Sequence, residues 1–178
     1  MPNWCECRLE INCRRGLRGK KAKLELNKFK AYAITKGKKE TNVLDTDKFV
    51  PYPDKFKEAD KKYPNESKSF NLKKDKPEDK EFFVDGMNGY DWCCRNWGTK
   101  WGICDPSIFE KDNKLIYGFQ CAWSPCIPVV EKMSEMFPEL VFRMSFWEGG
   151  MGYQGYIKAI QGEIVDAHDK EYNGCRGG

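Results

Sequence analysis

Histidine is almost missing from this chain. Among 178 residues only His168 carries an imidazole, and it stands in a hydrophilic stretch near the C-terminus. Zinc arms of the H-x3-5-H kind are therefore absent. A cysteine nucleophile would find no nearby imidazole base. No apolar run approaches the roughly 18 residues that a bilayer-spanning helix requires. Met1 to Cys7 has no basic segment followed by an apolar stretch, so no secretory signal is expected and the cytoplasm is the expected location. The glycine turn at 149–152 has neither a Walker lysine nor a strand–turn–helix setting, so it reads as a tight turn rather than a phosphate cradle. Acidic residues are plentiful, but no spacing singles out a catalytic pair of the kind hydrolysis needs. These absences point away from an enzyme, and no cofactor is implied.

Cysteine, by contrast, is abundant and odd in number: nine, at 5, 7, 13, 93, 94, 104, 121, 126 and 175. A disulfide framework belongs to secreted chains and usually to an even count. Most of these cysteines fall where apolar residues are expected, so they read as small buried hydrophobes. Cys121-x4-Cys126 alone approaches a metal-arm spacing and stands as a weak alternative metal pair.

Periodicity outlines the fold. Trp4 to Cys13 alternates, with Cys5, Cys7, Leu9 and Ile11 on one side and Glu6, Arg8 and Glu10 on the other, as in a half-buried strand. Ala22, Leu26, Phe29 and Ala33 give a helical stripe over Lys20–Lys36, with Gly37 as its stop. Asp91 caps a short helix running to Trp97 and ended by Gly98. Two strands follow, Trp101–Ile108 and Leu115–Trp123, around a loop at 110–114. Pro128 opens a helix with Val129, Val130, Met133, Met136 and Phe137 as its stripe. Leu140–Trp147 is a strand, and Tyr153–Ile160 with Glu163–Asp169 form a hairpin around Gln161-Gly162. This order predicts an α+β fold: a ferredoxin-like antiparallel sheet backed by two helices, with a C-terminal β-hairpin. One domain over 1–178 is expected.

Between about 38 and 88 the composition changes to lysine and proline with scattered apolar residues, and a long surface insertion after the first helix is expected. Pro53–Lys80 should then be replaceable by a short linker, because closure entropy grows slowly with loop length. From Arg14 to Lys80 there are 21 Lys/Arg against 11 Asp/Glu, while the remainder has 10 against 16; the net charge is +4. If this region bound nucleic acid, Lys20, Lys21, Lys38, Lys39, Lys61, Lys62, Lys73 and Lys74 would carry the contacts. Arginine clusters are lacking, which weakens specific phosphate recognition. The faces opposite the helices offer Glu6, Glu10, Gln120, Arg8 and Arg143, a mixed surface poor in stacking platforms.

Tyr90 to Trp101 packs three of the six tryptophans into a dozen residues. Trp92 and Trp97 point in different directions on a short helix. Trp97 and Trp101 are therefore assigned to the core and Trp92 to an exposed anchor. Asn96, Lys100, Glu148 and Met151 complete the candidate binding set.

Several of these strings carry a resemblance: Met1-Pro2-Asn3-Trp4-Cys5, Tyr90-Asp91-Trp92-Cys93 with Asn96-Trp97-Gly98-Thr99-Lys100-Trp101, Ala122-Trp123-Ser124-Pro125 with Ile127-Pro128, Met136-Phe137-Pro138 and Gly150-Met151-Gly152. Over about 1–13 and 89–165 the chain resembles the YubB-type ferredoxin-like domain proteins of phages and conjugative plasmids. Cys7 and Cys126 depart from that pattern. The resemblance implies an accessory protein of a mobile element and brings no catalytic residues. The expected function is non-enzymatic binding of a host protein, with inhibition of host defence as one form. The alternative is a nucleic-acid-binding module using the basic 14–80 region. No membrane partner is expected, and the oligomeric state is left open.

Overall fold

The structure is a computed structural model that describes residues 3–37, 41–62, 68–111 and 113–174. The elements in chain order are β1 (Trp4–Cys13), α1 (Gly19–Ala33), β2 (Thr35–Lys36), β3 (Thr41–Asn42), α2 (Asp54–Lys62), α3 (Lys68–Asn71) and α4 (Gly89–Asn96), followed by β4 (Cys104–Lys111), β5 (Lys114–Ala122), α5 (Ile127–Met136), β6 (Leu140–Glu148), β7 (Tyr153–Ile160) and β8 (Glu163–Glu171). Short 3-10 turns occupy Thr46–Lys48 and Pro77–Phe82.

Strand β1 sits inside the sheet because its inward residues Cys5, Cys7, Leu9 and Ile11 are all buried. It pairs antiparallel with β5 on one side and β6 on the other. The full order is β4-β5-β1-β6-β7-β8. The connection from β1 through α1 to β4 passes over β5, and that from β5 through α5 to β6 passes over β1. Two interlocked split β-α-β units are the ferredoxin-like arrangement, here extended past β6 by the β7–β8 hairpin.

The helices cover one face. Phe29 of α1 is the hub of that layer, with ring centroids 5.6 Å from Phe49, 5.1 Å from Phe137, 5.5 Å from Phe142 and 6.1 Å from Tyr117. The contact with Phe49 is stacked and the other three are edge to face, and both geometries add to the burial of large apolar area.

Several boundaries differ from expectation for local reasons. Helix α1 stops at Ala33 rather than Lys36, because β-branched Ile34 and Thr35 are extended and β2 pairs with β3. The short helix α4 begins at Gly89, and Asn88 rather than Asp91 is its cap; its side chain accepts the Asp91 amide at 2.9 Å. Strand β4 starts at Cys104 instead of Trp101, and it reaches Lys111 opposite Lys114, so the hairpin loop is tighter than 110–114.

The largest difference concerns the lysine-rich segment, expected as a solvated excursion. Its described part is folded onto the core. Leu44, Phe49, Phe56, Ala59 and Leu72 are buried, as are the polar Thr46, Ser69 and Asp79. Phe56 and Ala59 lie three apart on α2, one helical face, while the lysines occupy the others. A buried polar relay ties the piece together: Ser69 Oγ donates to Asp60 Oδ1 at 2.6 Å and lies 2.9 Å from Tyr52 Oη.

Replacing Pro53–Lys80 by a Gly/Ser linker therefore removes core, and the variant should lose its cooperative thermal transition. Phe56→Ala alone should cost about 3–5 kcal/mol, as truncation of a fully buried aromatic does. Chemical denaturation of both variants checks this. A linker variant that melts as cooperatively as the parent would contradict it.

Candidate functional site

The tryptophan tract divides into an inward and an outward half. Trp92 on α4 and Trp97 at its C-terminal cap are each only 8% exposed. Their rings meet edge to face at 5.5 Å, and Tyr52 lies 5.6 Å from Trp92 and 5.3 Å from Trp97. The Trp97 indole N–H donates to the Val50 carbonyl at 2.8 Å. That bond satisfies the one polar atom of the side chain. Trp92 is thus core, and not the exposed anchor expected. Five residues apart on a helix, the two rings do point differently. Both are nonetheless covered, because the folded insertion supplies a second wall. Gly89 allows that wall to approach: a Cβ there would lie 2.5 Å from Tyr52 Oη. Asn96 is half-buried, and its side-chain amide donates to the Trp92 carbonyl at 2.9 Å, so it closes the helix end.

After Trp97 the chain turns outward at Gly98, which has φ +75° and no room for a Cβ against Pro128. Only glycine takes that conformation without steric cost. The Thr99 hydroxyl donates to the Ala122 carbonyl at 2.8 Å, and the Ser124 hydroxyl donates to the Gly98 carbonyl at 2.6 Å. These bonds fix the direction in which Lys100 and Trp101 emerge. Trp101, expected in the core, is 40% exposed. Its ring lies 6.1 Å from that of Trp4, and Lys100 Nζ stands 4.5 Å from its centroid.

Trp123 completes this end. It is 42% exposed and held at φ +73°. Such a conformation costs a bulky residue free energy. Its backbone is clamped on both sides: its N–H donates to the Asn3 carbonyl at 2.9 Å, and its carbonyl accepts the Tyr153 hydroxyl at 2.7 Å. Glu148 is buried and accepts the amides of Gly150 and Met151 at 2.7 and 2.5 Å. It is therefore a turn-builder, not the contact residue expected, and it presents Met151 at 63% exposure. Gly150 packs against Asn3. Four separated stretches, beginning at Asn3, Gly98, Ala122 and Glu148, are so joined at one end of the sheet. Trp4, Trp101, Trp123 and Met151 are its exposed apolar groups. The strings behind the family resemblance contained all of them, but alternation alone gave no reason to place them together.

The helix-free face begins at this end and is richer in aromatics than expected. Alternation along β6 sends Trp147 outward with Arg143 and Ser145, and Phe109 emerges on edge strand β4. A shallow cavity of about 820 Å³ lies between them, over Ser107 and Gly118 and beside Arg8 and Lys111. Two of its charged residues are engaged: Arg8 pairs with Glu10 at 3.2 Å, and Gln120 donates to Glu6 at 2.6 Å. Elsewhere on the face Arg143 stacks 4.7 Å over Tyr156.

The lysines of the nucleic-acid alternative fall on three parts of the chain, of which α2 and α3 pack together. Lys20 and Lys21 open α1, Lys61 and Lys62 close α2, and Lys73 and Lys74 follow α3; all six are exposed. Lys38 and Lys39 lie outside the described residues. Cys121 and Cys126, the candidate metal pair, are buried with Cys5 and Cys7, whose sulfurs lie 4.0 Å apart. Among the described residues no group of three or more His, Cys, Asp or Glu side chains is arranged to hold a metal ion. Hydrogen bonding to Cys121, together with burial, pushes the Cys7 and Cys126 thiols up. No described helix is long and apolar enough to cross a membrane.

Residues 97–175 match the family model described as a ferredoxin-like domain in Api92-like protein. The crystal structure of a protein Api92 from Yersinia pseudotuberculosis aligns with 98% of this chain and 99% of its own, at 13% identity and a TM-score of 0.49. No curated protein matches the chain.

The inward and outward halves of the tract can be separated chemically at adjacent thiols. Burial pushes the Cys93 thiol up to about 12, whereas Cys94 is exposed. An alkylating reagent at about pH 8 should modify Cys94 in the native protein and spare Cys93 until the chain unfolds, since only accessible thiolate reacts. Peptide mapping reads the two sites. Equal labelling would place the α4 inner face in solvent.

Proposed function

We propose that this chain is a non-enzymatic accessory protein of a phage or plasmid that binds a host protein, with a defence component as the favoured target. The contact surface is the tryptophan-bearing end of the sheet. The mobile-element setting rests on the YubB-type resemblance. The binding role rests above all on Trp123. Left-handed backbone at a bulky residue costs on the order of 1–3 kcal/mol and persists where the surroundings over-determine it, often at functional positions. Here the strain serves to present an indole, not to bury one. Trp4, Trp101 and Met151 stand exposed on the same knitted end. Tryptophan anchors with polar rims dominate the energetics of protein interfaces. On the open face the arginines are engaged with Glu10 and Tyr156, which favours a protein over a polyphosphate partner.

Trp123→Gly separates display from scaffold, because the backbone there stands at φ +73°. Glycine adopts that conformation freely. The variant should keep a melting temperature close to the parent's. In nuclease-treated host lysate it should retain a partner at least about tenfold less well, the order expected for losing a tryptophan anchor. Capture by the parent should change little between about 50 and 200 mM salt, where binding through several phosphates falls by about 10³ or more. A folded Trp123→Gly protein that captures the partner as well as the parent would contradict the proposal, as would a steep salt dependence.

A further inference from the structure

Positive charge gathers at the end of the sheet away from the tryptophans. From Ile11 to Leu24 the chain has no acidic residue, and Arg14, Arg15, Arg18, Lys20, Lys21 and Lys23 fall within ten positions. All three arginines of the 14–80 segment stand in this run. The run covers the turn after β1 and the start of α1, about 30 Å along β1 from Trp4 at roughly 3.3 Å per residue. Arg14 is half-buried and the other five are exposed. Among the described residues none of the six is in an ion pair. A cleft of about 210 Å³ brings Lys111 and Lys114, from the tip of the β4–β5 hairpin, beside Lys23. Three acids near this end are engaged: Glu25 holds Lys28 and Glu135 holds Lys132, each at 2.7 Å, and Glu110 of the cleft holds Lys30. Glu139, whose carbonyl accepts the Arg14 amide, and Glu163, at the β7–β8 turn, are in no described ion pair. Asp112 lies outside the described residues. Eight free cations thus face two described free acids. Helix α1 has no side-chain cap and no acid in its first turn, so its positive end adds to the same field. Cations placed there weaken a helix unless an anion meets them.

We propose that this end binds the phosphate backbone of duplex DNA without reading its sequence, as a site separate from the tryptophan end. Several free cations on one surface are what counterion release converts into affinity for a polyanion. The arginine forks each match two phosphate oxygens. No aromatic residue stands between Ile11 and Leu24, so unpaired bases of a single strand would find no stacking platform. Arg14 to Leu24 also has no carboxylate, hydroxyl or amide side chain to receive a ribose 2′-hydroxyl, which favours DNA over an RNA duplex. Leu24 is the one exposed apolar side chain of the run, too little to enter a lipid interface.

The test is a fluorescence-anisotropy titration of a labelled DNA duplex of about 20 base pairs with the full chain, between about 50 and 200 mM salt. The parent should bind saturably, whatever the sequence of the duplex. The variant Arg15→Gln/Arg18→Gln/Lys21→Gln should keep the parent's melting temperature and bind at least about tenfold more weakly, with a log–log salt slope shallower by about 3. A control variant, Lys61→Gln/Lys73→Gln/Lys74→Gln, loses the same charge from exposed positions elsewhere and should stay within about twofold of the parent in affinity. Trp123→Gly should bind the duplex as the parent does. No saturable binding, an equal loss in the two triple variants, or a loss in Trp123→Gly would overturn the inference. So would tighter binding of oligothymidine, an RNA duplex, polyglutamate or phosphatidylserine vesicles. The inference does not rest on the role assigned to the tryptophan end, which its failure leaves standing.

Discussion

The Trp97 indole hydrogen bond to the Val50 carbonyl, enclosed by Tyr52 and Trp92, is the contact on which the rest of the structure depends. It joins two parts of the chain that composition sets apart: a lysine-rich segment after α1, and the short helix that leads into the second half of the sheet. An indole buried without a partner would cost about 1–3 kcal/mol, so the segment is needed for more than apolar cover. With this bond made, Phe56, Ala59 and Leu72 gain a wall to pack on. The chain also leaves α4 in one direction only.

That direction produces the candidate site. Since Trp92 and Trp97 face inward, the left-handed turn at Gly98 carries Lys100 and Trp101 outward over Trp4. The same end receives Trp123, clamped between Asn3 and Tyr153. Interior and display surface are thus two sides of one construction. The six tryptophans divide accordingly: two anchor the wedge, while Trp4, Trp101, Trp123 and Trp147 reach solvent.

Strands and their faces were legible in the sequence because period-two alternation is a local property. The inward set of β1 is buried, and so are Leu115, Tyr117, Phe119 and Cys121 of β5; Trp123, which the same alternation assigns to that inward face, is instead exposed. The split β-α-β order followed from the alternation of elements. What was not legible depends on long-range packing. Phe56 and Ala59 are isolated among lysines, and nothing local shows that Tyr52 bridges Phe56 to Trp92. The roles of Trp92 and Trp101 were accordingly exchanged. Glu148 looked like a surface acid until the turn after it folded back onto its carboxylate. Trp147 could have been recognised, since it alternates with Arg143 and Ser145. Trp123 could not, because its exposure depends on a backbone reversal that no residue pattern announces.

The central claim is that the lysine-rich segment and the sheet form one cooperative unit through Trp97. Hydrogen exchange of the Trp97 indole N–H, compared with the β1 amides of Cys7 and Leu9, tests it most directly. The account predicts that the indole proton opens with the same free energy as those amides, that is, only in global unfolding. Exchange of that proton at the rate of a surface loop, with the β1 amides still protected, would show that the segment opens independently and would contradict the account.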